Sequence, residues 1–169
     1  MVKIIGVILI IMSCWGAGIS SGRDMRARAE ALKNHISALQ LIKAEILFKS
    51  APMESIIALL EKECSAKTAG FYRDTYRRAR VGATFSQAAI EYYPLLKAQM
   101  LNKGDIEAIK SVCSVLGRYD AATQSETITA AISCLQGRLE EASAESLSKG
   151  RLYKTLGAAA GIVLALMAI

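Results

Sequence analysis

The amino-acid sequence predicts an all-α protein, a cytoplasmic helical bundle of about six helices flanked by N- and C-terminal transmembrane helices. Three observations carry this. The chain is 53% hydrophobic, and the apolar content gathers at the two ends around a charged middle. In that middle, apolar residues recur at steps of three and four, and no alternating strand pattern survives for long. Each apolar end is bordered by positive charge on its inner side, which marks the cytoplasmic face of a span. The expected boundaries are residues 1–22 for the first span, 23–152 for the bundle and 153–169 for the second span.

Ile4 to Gly22 carry no charge and open as IIGVILIIM. A helix of about 20 apolar residues crosses a bilayer core. A signal peptide competes with this reading, because IMSC resembles a lipidation motif centred on Cys14. Met12 fits that motif poorly, and Lys3 alone makes a thin positive n-region. Arg23, Arg26 and Arg28 follow the span at once, which places the middle inside and the N-terminus outside.

A first helix is expected from Arg23 to Phe48, with Leu32, Ile36, Leu39, Ile42 and Ile46 on one stripe. Ser50 is expected to cap a second helix with Pro52 in its first turn, where a missing N–H costs nothing. Ile56, Leu59, Leu60 and Cys64 form its inner face. A third helix covers Lys67 to Val81, and Gly82 ends it in the left-handed region. Thr84 and Gln87 fit a capping box for a short helix through Tyr92, and Pro94 breaks that helix. A further segment reaches Leu101, and NKGD reads as a turn. Asp105 is expected to cap the next helix, whose inner stripe is Ile106, Ile109, Cys113 and Leu116 before Gly117 stops it. Asp120 caps the last and longest helix, on which Ile128, Ile132, Leu135, Leu139 and Ala142 form a heptad-like seam.

That last helix runs without a proline into the C-terminal segment. Thr155 to Ile169 carry no charge and give about 22 Å of helix, short of a hydrocarbon core of about 30 Å. Tyr153 can sit at the interface while Lys154 snorkels. Lys149, Arg151 and Lys154 again lie on the side of the central domain, so both termini are expected outside. The small residues Gly157 to Gly161 permit close approach of the N-terminal span, which carries Gly6, Gly16 and Gly18.

Chemistry is hard to find. The net charge of +6 is met by flanks that set topology and touch anionic lipid. The basic run Tyr76 to Arg80 has no stacking platform around it, so no nucleic-acid partner is expected. Cysteines 14, 64, 113 and 134 make no CxxC, and His35 is far from all of them in sequence, so no metal is expected. There is no Walker loop, nucleophile elbow or HExxH. Asp105 and Glu107, two apart on a helix, face different ways and make no acid–base pair. No catalytic or cofactor-binding residue is assigned, and the chain is read as holding or coupling other proteins rather than as an enzyme.

Three stretches carry a resemblance over nearly the whole chain. They are Glu45 to Pro52 within AEILFKSAPMESII, Leu116 to Gln124 as LGRYDAATQ, and YKTLG at the start of the last span. In these, and in the order of its parts, the sequence resembles the stage III sporulation protein AB family of endospore-forming Gram-positive bacteria. Phe48 and Met53 depart from the family pattern, which has tyrosine and leucine there. The resemblance implies a fold like the cytoplasmic domain of type II secretion and type IV pilus inner-membrane platform proteins. It implies a place in the mother-cell membrane around the forespore, within a transenvelope channel. The implied partners are a secretion-type ATPase, stage III sporulation protein AA, and other channel proteins of the same operon.

The partner surface is expected on the membrane-distal loops Lys49 to Met53, Val81 to Phe85 and Leu116 to Asp120. Its motif residues are Glu45, Pro52, Gly82, Gly117, Arg118, Asp120 and Gln124, each of which also has a plain structural role as a cap, turn or pair. Oligomeric state is left open. Two other readings stand beside this one, an exported lipid-anchored helical adaptor and a membrane-bound sensor that dimerises through its final helix.

Overall fold

The structure, a computed structural model, describes the backbone of residues 24–168 and the side chains of residues 24–146. The expected first span, residues 1–22, lies outside the described residues. So do the side chains of the expected second span, residues 153–169. Among the described residues there is no strand, and no helix is long and apolar enough to cross a membrane.

The chain divides into two compact units. One comprises Met1–Ala27 and Glu141–Ile169, and its described backbone is helical. The other, Arg28–Glu140, holds the core and is described below.

Helix α1 spans residues 24–44 and passes into a π-helical turn, Glu45–Lys49. Its predicted stripe is buried throughout: Leu32, Ile36, Leu39, Ile42 and Ile46 all face inward. Ser50 closes this helix instead of opening the next. It adopts the left-handed conformation at φ 46°, and its N–H donates to the Glu45 carbonyl, which also accepts from Ala51 N. Pro52 is therefore the N-cap of α2 (Met53–Glu63), which starts two residues later than expected. With φ −64° and ψ 147° it suits that extended position, where no N–H is needed.

Helix α3 is Ala66–Ala79, capped by Ser65 Oγ accepting from Thr68 N. Two ion pairs, Arg80–Glu54 and Arg73–Glu61, set α2 and α3 antiparallel in one register. Gly82 lies beyond the helix at φ +107°, a conformation that side chains other than glycine's rarely adopt. The Thr84–Gln87 capping box opens α4 (Phe85–Glu91) as expected. Helix α4 ends at Glu91, just ahead of Pro94, so the break falls where expected. Pro94 itself opens a new helix. It lies in the first turn of a short α5 (Tyr93–Lys97), the place where proline is preorganised.

The next start signal differs from the expectation. Asn102, not Asp105, is the N-cap of α6 (Lys103–Val115), and NKGD runs into the helix. Asp105 is its N3 residue and completes a capping box, accepting from Asn102 N at 2.9 Å while Asn102 Oδ1 accepts from Asp105 N. Ile106, Ile109, Cys113 and Leu116 are buried as the stripe requires. Gly117 turns the chain at φ +74°. Asp120 then caps α7 (Ala121–Ala168), its carboxylate accepting from Thr123 N and from the Thr123 hydroxyl. Ile128, Ile132 and Leu135 are buried on this helix.

Within the larger unit α1 and α7 run antiparallel. Arg28 and Arg138 meet at Asp105, while Ile46 meets Ala121 and Gln124 at the other end. The runs 28–46 and 121–138 are nearly equal in length, about 27 Å of helix each. Helix α6 meets both at Asp105, and the loop after it reaches the other end at Gly117.

Candidate functional site

Three loops gather at the end of the larger unit where α1 finishes and α7 begins. The turn after α1 and the α6–α7 loop together form an open groove of about 250 Å³. Ile46, Ala51, Met53 and Ile56 supply its apolar wall, and Gly117, Ala121 and Gln124 face them. The Arg80–Glu54 pair, 3.6 Å, brings the α3–α4 loop beside the start of α2 at the same end. A groove of this size is below the roughly 300–1,000 Å³ of most small-molecule pockets.

Local chemistry holds the groove open. Gln124 is buried, and its Nε2 donates to the Tyr119 carbonyl, which ties the α6–α7 loop to the first turn of α7. Hydrogen bonds from the Thr123 hydroxyl and N–H hold the Asp120 carboxyl below its ordinary pKa. Glu45 pairs with Lys49 at 2.7 Å across the π-helical turn. Arg118 is exposed and makes no ion pair among the described residues.

Large apolar side chains stand out in solvent at this end. Phe48 is 85% exposed and Val81 77%, and Leu47 and Tyr119 are also exposed. Single exposed apolar residues are ordinary, but these four share the end of the unit that carries the apolar groove.

Of the seven motif residues expected at a partner surface, Gly117 and Gln124 line the groove. Glu45 and Pro52 adjoin its lining residues in sequence, and Arg118 and Asp120 belong to the loop that forms one wall. Gly82 is on the third loop and does not line it. Ala51 and Met53 fall in the expected Lys49 to Met53 loop, whereas sequence reasoning missed Ile46 and Ile56 as groove residues, because inward-facing apolar positions look alike whether they end in the core or in a cleft. One signal was available: Phe48 and Met53, the two departures from the family pattern, both fall here.

Elsewhere, a more polar depression of about 380 Å³ lies among Asp74, Arg77, Arg78, Val81 and Tyr92. Glu91 already occupies the Arg78 guanidinium at 2.9 Å. His35 is fully buried, with Nδ1 3.4 Å from the Tyr72 hydroxyl and Phe71 edge-on at 6.2 Å. Burial pushes its pKa down to about 4, and the Gln99 side chain pulls the other way. With Nε2 outside hydrogen-bond geometry of any described group, this ring is a core residue out of reach of substrate. Cys113, also buried, has its thiol pushed up to about 12 by the same desolvation. No group of His, Cys, Asp and Glu among the described residues is placed to hold a metal ion.

The described residues are all helical or loop, and the larger unit is a helical bundle framed by two antiparallel helices with a small apolar groove at one end. The chain belongs to the stage III sporulation protein AB family, whose sequence model matches residues 3–169. Stage III sporulation protein AB of Bacillus subtilis (strain 168) is 21% identical over 169 residues, covering 99% of each chain. A solved structure of stage III sporulation protein AB (SpoIIIAB) has a TM-score of 0.63 at 18% identity, over 70% of this chain and 95% of that one. At that identity the likeness shows a shared fold.

Proposed function

We propose that this chain is a non-enzymatic platform subunit of a sporulation channel, and that its groove end seats a cytosolic secretion-type ATPase. The observation that carries the reading is the groove flanked by exposed Phe48, Leu47, Tyr119 and Val81, at the end remote from where α1 and α7 pass out of the larger unit. Residues 1–22 and 153–169 anchor the chain in the mother-cell membrane around the forespore, with the bundle on the cytoplasmic side and both termini outside. Work done by the ATPase on the loops passes along α1 and α7 toward the bilayer. The proposed partner is stage III sporulation protein AA, with the other channel proteins of its operon assembled around it.

Topology tests the frame. A reporter active only in the cytoplasm, inserted near Lys103, is expected to work, and the same reporter at the C-terminus is expected to be silent. A silent reporter at Lys103 overturns the reading.

Binding tests the seat. Phe48→Ser is expected to leave the melting temperature unchanged, because the ring is already in solvent, and to weaken ATPase binding about tenfold or more, as a desolvated aromatic anchor does. Arg118→Glu is expected to act mainly through association rate and salt dependence, as a rim charge. Titration of purified ATPase onto the full chain in nanodiscs measures both. If both variants bind as the parent does, the ATPase seats elsewhere.

A further inference from the structure

The Asp105 carboxylate is fully buried, yet it belongs to no catalytic or binding site described above. Arg28 grips it with two hydrogen bonds, Nε to Oδ2 at 2.8 Å and Nη2 to Oδ1 at 2.9 Å. Arg138 Nη1 approaches Oδ1 at 3.8 Å. These arginines come from opposite ends of the sequence: Arg28 is the first residue of the larger unit, and Arg138 lies two positions before its last. Helices α1 and α7 are thus fastened to one carboxylate on α6 at the level where both pass out of the unit.

Gly104 completes the arrangement. It lies inside the first turn of α6 with ordinary helical backbone, so no turn requires glycine there. An added Cβ would overlap the Arg138 guanidinium at Nη1, Nη2 and Cζ. The glycine is the floor on which Arg138 rests to reach Asp105. Glycine inside a helix costs about 1 kcal/mol relative to alanine, so its presence here needs a gain elsewhere, and the Arg138 contact supplies one.

The geometry points to a conformational device: Arg28, Asp105, Arg138 and Gly104 form a clamp that fixes the spacing and rotation of α1 against α7 where they leave the larger unit. The charges are suited to the task. A planar guanidinium held by two bonds fixes orientation as well as distance. A single carboxylate serving two helices makes displacement of either one felt by the other. The clamp acts as a positioning element, whatever protein docks on the opposite end.

Gly104→Ala is the selective probe, because it displaces only the far end of a flexible side chain and leaves the Arg28–Asp105 pair in place. Arg138→Met is its companion, keeping the stem but removing the charge. Hydrogen exchange of the full-length chain in nanodiscs reads the result. Both variants are expected to raise exchange over residues 132–140 about tenfold, with α2 to α4 unchanged, since local opening and global unfolding are separate events. The double variant is expected to match Arg138→Met alone, because the methyl added at position 104 then has no guanidinium to strike. Unchanged exchange over 132–140 in both single variants overturns the clamp. So does an equal rise across α2 to α4, or an additive double variant.

Discussion

Asp105→Ala is expected to destabilise the bundle by about 3–5 kcal/mol, the range for removing one partner of a buried ion pair. The carboxylate has no solvent exposure, and the Arg28 side chain is 16% exposed. Removing the anion takes away both of the hydrogen bonds that Asp105 accepts from the Arg28 guanidinium, in a site shaped for that counter-charge. The Asn102 N–H at the start of α6 also loses its acceptor. Arg138, 32% exposed, can turn to water, which holds the cost toward the lower end. Asp105→Asn keeps an acceptor and is expected to cost less. A joint replacement of Arg28, Asp105 and Arg138 by apolar residues of similar volume is expected to be milder than Asp105→Ala, because the opposite charges are removed together. Urea unfolding followed by circular dichroism ranks the three. A loss below about 1 kcal/mol for Asp105→Ala would show the pair to be solvated and remove this account.

The second large effect is acid sensitivity centred on His35. Its pKa is pushed down from 6.5 to about 4 by burial. The unfolded chain therefore takes up the proton first as pH falls. Stability from keeping the ring neutral is complete above pH 6.5 and is lost progressively between 6.5 and about 4. The gap corresponds to roughly 3 kcal/mol at about 1.36 kcal/mol per pH unit. A non-titrating His35→Gln variant is expected to lack this slope, leaving only the carboxylates, which act mostly at lower pH. Parallel stability profiles for the parent and His35→Gln between pH 4 and 6.5 would refute the assignment.

Much of the fold could be read from periodicity, for a direct reason. The stripe from Leu32 to Ile46 is buried because no other face of α1 is apolar enough to pack. The Thr84–Gln87 box was legible because its chemistry is local and reciprocal. The start of α6 was misread for the opposite reason. Gly104 made NKGD look like a turn, but that glycine answers to Arg138, which lies 34 positions later in the chain. Ser50 was misassigned because serine is a common N-cap and a rare left-handed residue, and only the preceding π-helical turn puts it there. The groove was legible at the Lys49 to Met53 loop and through resemblance at Gly117 and Gln124, and not at Ile46 or Ile56, which read as core positions. Its two walls are some 70 residues apart in sequence, and nothing in either stretch alone announces the other.

The π-helical turn at Glu45–Lys49 has a consequence for how this chain tolerates insertions and deletions. A π turn holds one residue more than an α turn. Removing a residue upstream in α1 would rotate everything after it by about 100°, carrying the buried stripe into solvent. Removing one within 45–49 converts the surplus turn to an α turn and leaves residues 24–44 in phase. A one-residue change in length is thus best absorbed at the rim of the groove, next to Phe48, where it re-aims an exposed side chain and spares the core.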